Sequence, residues 1–130
     1  KKKKKLSQII NMKKKKTGKL FSFCLHATGI VAKKSKKEKI FLSTLGEEIG
    51  LLFQLADDFL DIKGSKKLVG KKIKKDSKKG KATLLNLLGE RKAYIYAYNL
   101  KKKILLKLKK HGKKAEDLTN TIEFILERNF

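Results

Sequence analysis

Proline is absent from all 130 residues. Nothing in the chain therefore locks a backbone dihedral or removes a donor inside a helix, so long helices can run without interruption. Cysteine is nearly absent too. Cys24 stands alone, which excludes an intrachain disulfide and fits a reducing compartment. Flanked by Phe23 and Leu25, it reads as a small core residue. No long apolar run exists: the longest uncharged stretch, 20–32, is about 13 residues, too short to span a bilayer. Lys1–Lys5 resemble the start of a signal peptide, but a polar, lysine-rich segment follows them instead of an apolar one. The expectation is a cytoplasmic chain without a membrane anchor. Acidic residues are few, 12 against 36 basic ones, and the net charge is +24. Arginine is scarcer still, with only Arg91 and Arg128. Nucleic-acid recognition favours arginine forks on one face. Here lysines are spread over nearly every segment, which points to a general surface bias toward lysine and to no specific nucleic-acid partner. A non-catalytic basic helical module that binds nucleic acid or an anionic membrane is the alternative to keep.

What remains is helix-forming sequence, with no segment of strand period. Leu6 to Lys15 reads as a short basic helix, and Lys16-Thr17-Gly18 follows it. The uncharged run 20–32 reads as a helix packed on most sides. Ser35-Lys-Lys-Glu38 is a capping box and should start the longest helix, about Lys36 to Ile62. Its apolar stripe is Phe41, Leu45, Ile49, Leu52, Ala56 and Phe59. Gly46 and Gly50, one turn apart, each cost up to about 1 kcal/mol relative to alanine in a helix, so a close packing or ligand contact is expected there. Lys63 to Gly80 is glycine- and lysine-rich and reads as a loop. Thr83–Leu88 is a short helix, and Glu90 to Lys110 a long one ended by His111-Gly112, where His111 is expected near the cap and Gly112 in a left-handed conformation. Glu116 to Arg128 is a last amphipathic helix, with Leu118, Ile122, Ile125 and Leu126 inward.

The most informative stretch lies within the longest helix: Phe53-Gln54-Leu55-Ala56-Asp57-Asp58-Phe59-Leu60-Asp61. Each helical residue turns about 100°, so Asp57 and Asp61 stack one turn apart, Asp58 lies beside them, and Gln54 extends the patch. Three like charges repel, and close to the expected helix end the dipole disfavours anions as well. A bound cation relieves that cost, and hard oxygen ligands on one face suit Mg²⁺ held by carboxylates, waters and phosphates. The patch has matching company. Lys-Thr-Gly precedes it by about 40 residues, Gly70-Lys71 begins nine residues after Asp61, and Asp76, Lys81 and Thr83 follow. Carboxylates facing a set of lysines are what a Mg²⁺–diphosphate site requires.

These elements together (Lys16-Thr17-Gly18, Gly50 to Asp61, Gly70-Lys71 with Asp76, and Gly80-Lys81-Ala82-Thr83) resemble the trans-isoprenyl diphosphate synthases, or polyprenyl synthetases, and most closely the bacterial farnesyl diphosphate synthases or geranyltranstransferases. The resemblance implies an all-α fold: residues 1–130 would be the C-terminal helices of a single isoprenoid synthase bundle. It also implies a prenyltransferase that ionises an allylic diphosphate, dimethylallyl or geranyl, and condenses it with isopentenyl diphosphate. By match to the motifs, Asp57, Asp58 and Asp61 bind Mg²⁺. Lys16, Lys71 and Lys81 contact the allylic diphosphate, and Thr17 and Gln54 line the site near the reacting carbons. Asp76 is an outer-sphere carboxylate, and Phe53 lines the isoprenoid pocket or serves the core. The first aspartate-rich motif of the family is missing from these residues. The chain is therefore expected to be a part of a homodimeric enzyme, inactive alone.

Overall fold

The computed structural model describes residues 5–68 and 84–127, with side chains through residue 62 in the first stretch. All regular structure among the described residues is helical, as expected. The order is α1 (Leu6–Lys13), a π-turn (Lys14–Gly18), α2 (Lys19–Val31), α3 (Lys36–Leu68), α4 (Leu84–Leu88), α5 (Glu90–Lys109), a 3-10 turn (Gly112–Ala115) and α6 (Glu116–Glu127).

Lys16-Thr17-Gly18 lies within continuous helix. It closes a π-turn that carries the chain straight from α1 into α2. Wide turns of this kind inside helices recur at functional sites, because they re-aim side chains without ending the element.

The uncharged helix α2 is not packed on most sides. Ser22 and Gly29 are its buried residues, while Leu20, Phe23 and Val31 are 62, 69 and 83 % exposed, and Cys24 is exposed rather than in the core. The reason is steric: α2 presents its small residues to α3. A Cβ on Gly46 would lie 2.4 Å from the Phe21 carbonyl oxygen, and one on Gly50 would lie 2.7 Å from Gly18 Cα. The close packing expected at these two glycines is therefore backbone against backbone. The two helices run antiparallel, tied by a Ser22–Ser43 hydroxyl pair at 2.7 Å and by His26 Nδ1 against the Lys39 carbonyl at 3.3 Å.

α3 starts where the capping box places it. The Glu38 N–H donates to Ser35 Oγ at 3.3 Å, and Glu38 Oε2 accepts from the Ser35 N–H at 3.0 Å and from its hydroxyl at 2.8 Å. The hydrogen bonds from Ser35 hold the Glu38 carboxyl below its ordinary value. The helix continues to Leu68, past the expected end at Ile62, so Asp57–Asp61 sit in its body and are spared the unfavourable C-terminal dipole.

Leu45, Ile49, Leu52, Ala56 and Phe59 of α3 form one core with Ala93, Ala97, Ile104 and Leu108 of α5 and Ile122, Ile125 and Leu126 of α6. Alanines at 93 and 97 let α5 approach α3, and Phe59 meets Tyr94 edge-on at 6.0 Å between ring centres. Gly112 has φ +55°, the left-handed geometry expected after α5. The His111 ring packs against Phe41, 5.7 Å between centres, and makes no side-chain cap bond.

Glu48 is a charged group built into this core. It is buried, with Lys103 Nζ at 3.0 Å from Oε1 and Lys107 Nζ at 2.6 Å from Oε2. Burial alone would raise its pKa, but the hydrogen bonds from Lys107 and Lys103 outweigh burial and hold it below the ordinary glutamate value. A depressed folded-state pKa means that the unfolded chain takes up this proton first as pH falls. The stabilisation is complete above the ordinary glutamate range and is lost as pH drops through the folded value. Glu48→Gln is expected to cost about 1.5–3 kcal/mol at pH 7 and to flatten the acid limb of stability against pH. Urea midpoints from pH 7 down to pH 3 check this; an unchanged acid limb would sink it.

Candidate functional site

The π-turn and the middle of α3 build the site. Thr17 Oγ1 donates to Gln54 Oε1 at 3.0 Å, across 37 residues of sequence. One turn further along both helices, Lys13 Nζ lies 2.5 Å from Asp58 Oδ2. Between these ties and the glycine crossing at Gly18 and Gly50, the Lys-Thr-Gly turn is held against the aspartate-rich helix in a single register. Two segments matched only by sequence logic are thus brought together.

The three aspartates do not share one environment. Asp57 is half-buried and Asp61 exposed, one helical turn apart. Asp58 is 8 % exposed and turned inward to Lys13. Its Oδ2 lacks a well-aligned hydrogen bond, so the contact is an ion pair. Burial pushes the Asp58 carboxyl above its ordinary value; Lys13 opposes that, and the nearby Asp61 and Asp57 charges add to it. Among the described residues, no three His, Cys, Asp or Glu side chains converge into a ready-made metal cage. The donor set still suits Mg²⁺, which keeps several waters and needs only one or two carboxylates beside substrate phosphates. Asp57 and Asp61, at i and i+4 on α3, are carboxylates of that kind.

Lys16 is exposed on the π-turn next to Thr17, able to reach an anion in solvent. Lys71, Asp76 and Lys81, together with Gly70, Gly80 and Thr83, lie outside the described residues. Phe53 is half-buried and packs on Phe21 at 5.7 Å between ring centres. Both line an apolar groove of about 320 Å³ with Cys24, Ile49, Ile122 and Phe124. Phe53 therefore stands on a groove wall, one turn before the aspartates, and not in the closed core. Among the described residues, no helix is long and apolar enough to cross a membrane.

Lys13 is the residue that sequence reasoning missed, because it begins a run of four lysines that reads as solvated surface. Its position carried a signal: it lies four residues after buried Ile9 and four before Thr17, on the inward stripe of α1.

The family model for polyprenyl synthetases matches residues 1–125 of the chain. Among curated relatives, the chain is 35% identical over 83 residues to farnesyl diphosphate synthase of Bacillus subtilis, covering 64% of this chain and 28% of that protein. It is 36% identical over 119 residues to geranylgeranyl diphosphate synthase of Saccharolobus solfataricus, covering 91% of this chain and 35% of the other. Two solved structures share its fold. An FPP/GFPP synthase from Zymomonas mobilis superposes with a TM-score of 0.76 at 34% identity, over 94% of this chain and 39% of that one. A geranyltransferase from Helicobacter pylori gives 0.70 at 28% identity, over 98% and 40%. The chain thus spans about a quarter to two fifths of the length of these relatives.

Proposed function

The chain belongs to the polyprenyl synthetase family, and from that premise we propose that it is the C-terminal part of a trans-prenyltransferase domain, supplying one wall of an allylic diphosphate site. The observation that carries this reading is the hydrogen bond between Thr17 and Gln54, which holds the turn that bears the exposed Lys16 against the aspartate-rich helix. A cation on the turn and two carboxylates on the helix it is tied to suit a metal-bridged diphosphate better than they suit a bare polyanion, which gains nothing from clustered acids. The farnesyl and geranylgeranyl diphosphate synthases among the relatives point to the same chemistry.

In the whole enzyme, the allylic carbon–oxygen bond breaks and both electrons leave with diphosphate. The isopentenyl double bond attacks the resulting allylic cation, and loss of a proton gives a product five carbons longer. The catalytic need is electrostatic stabilisation of charge developing on the leaving group. Mg²⁺, held by Asp57 and Asp61, would supply positive charge to the diphosphate oxygens. Lys16, with Lys71 and Lys81, neutralises the remaining charge. The Thr17 and Gln54 dipoles border the reacting end, and Asp76 orients a lysine or a bound water. Phe21 and Phe53 line the groove that would take the hydrocarbon and keep water from the cation. Isopentenyl diphosphate binding and the first aspartate-rich motif belong to the part of the fold beyond these residues. The 130-residue chain alone is therefore expected to bind an allylic diphosphate without turning it over, and the complete enzyme to be a homodimer.

The test is calorimetric titration of a non-hydrolysable allylic diphosphate analogue into the chain, with and without Mg²⁺, repeated on Asp61→Ala. Saturable binding that needs Mg²⁺ and weakens about tenfold or more in the variant supports the reading. Binding indifferent to Mg²⁺ and to Asp61, and falling steeply with salt, would show a diffuse lysine surface instead.

A further inference from the structure

Lys13 lies outside every motif that pointed to function, yet among the described residues it is the one lysine that the fold buries, at 5 % exposure. Burying an ammonium and a carboxylate is costly, and an apolar pair of the same volume usually stabilises as well or better. What an ion pair adds is direction. Asp58 stands about 100° around α3 from Asp57 and about 60° from Asp61. Drawing Asp58 inward therefore leaves the other two, within about 40° of each other, toward the open side. On the opposite helix, Lys13 immediately precedes the π-turn that carries Lys16 and Thr17. The Lys13–Asp58 and Thr17–Gln54 ties sit one turn apart on both helices. Together they fix the rotation of α3 relative to the lysine turn, and with it the spacing between cation and carboxylates.

We propose that Lys13 is a positioning residue for the diphosphate site: its buried ammonium holds Asp58 inward and so presents Asp57 and Asp61 to the ligand. The proposal rests on the prenyltransferase reading and deepens it. It divides the aspartate motif into two outward carboxylates that serve the metal and one inward carboxylate that sets their direction.

The test titrates inorganic diphosphate into the full chain with and without Mg²⁺, at a temperature where circular dichroism finds each variant folded. Lys13→Met is expected to weaken the Mg²⁺-dependent affinity about tenfold, the scale on which groups that orient metal ligands act. Lys13→Arg, which keeps the cation, is expected to restore it to within about threefold, and Asp58→Asn, which keeps the side chain's shape and a carbonyl dipole facing Lys13, to stay within about threefold. A residue that only stabilised the fold would leave the affinity of the folded molecules unchanged, so wild-type affinity in folded Lys13→Met overturns the proposal. Should Lys13→Met not fold, Asp58→Asn decides: a loss as large as that of Asp57→Asn puts Asp58 at the metal and overturns it. Absence of any Mg²⁺ dependence in the unsubstituted chain is a different result, which removes the prenyltransferase reading itself and the proposal with it.

Discussion

Asp58→Ala is expected to destabilise the chain by about 3–5 kcal/mol, a large fraction of the roughly 5–15 kcal/mol that holds a typical domain folded. The substitution removes few atoms, so cavity formation is a minor part of the loss. The cost comes from Lys13, whose ammonium would stay in a site that excludes water with no counter-charge. Its neighbour gives the control. Asp61 carries the same charge three residues on and is exposed, so Asp61→Ala should change stability by no more than about 0.5 kcal/mol. Removing both charges together is expected to reverse the damage: Lys13→Met combined with Asp58→Leu should recover most of the stability, because an apolar pair bears no desolvation penalty. Urea unfolding of the three variants reads all of this from the midpoints. A loss below about 1 kcal/mol in Asp58→Ala would mean that the Lys13 stem swings its charge out to solvent, and that the pair is not a buried one.

Much of this architecture was legible before any coordinates, for local reasons. The Ser35–Glu38 box needs only four residues and marks the start of α3 to the residue. The stripe from Leu45 to Phe59 follows from helical period alone. The joint pattern of Lys-Thr-Gly, the aspartate helix and the later lysines pointed to one family, and the family match agrees. What failed was whatever depends on which neighbour a face meets. Hydrophobic composition put α2 and Cys24 in the core, yet α2 turns Ser22 and Gly29 inward and leaves Phe23 in solvent. Composition also put Lys13 on the surface, since a run of lysines hides the one that falls on the buried stripe. The two long-range ties, Lys13–Asp58 and Thr17–Gln54, join residues 45 and 37 positions apart. No local pattern specifies such partners. The glycines Gly46 and Gly50 announced a close contact, but whether with backbone or ligand was open until the crossing with α2 was seen.

That crossing carries the second large effect. Gly46→Ala is expected to destabilise the chain by about 1–3 kcal/mol, although alanine is the better helix former by nearly 1 kcal/mol. The added methyl would meet the Phe21 carbonyl oxygen at 2.4 Å, the Phe21 carbonyl carbon at 2.7 Å and Ser22 Cα at 2.7 Å. All three are backbone atoms, so no rotamer change relieves the clash, and α2 must move away from α3. Gly29→Ala is the informative contrast. Its two nearest neighbours are side-chain atoms, the terminal Leu42 Cδ1 at 2.9 Å and Lys39 Cγ on its flexible stem at 3.1 Å, which can turn aside. That variant should lie within about 1 kcal/mol of the parent, because the gain in helix propensity offsets a modest repacking. The difference reaches the site as well. Separating α2 from α3 at Gly46 also strains the Gly18–Gly50 contact one turn away and the Thr17–Gln54 bond beyond it. Gly46→Ala should therefore weaken Mg²⁺-dependent diphosphate binding along with stability, whereas Gly29→Ala, at the far end of α2, should leave binding as it was. Thermal unfolding and the same calorimetric titration on both variants provide the measurement. Equal stability in the two would mean that the helices do not cross as closely as the glycines imply.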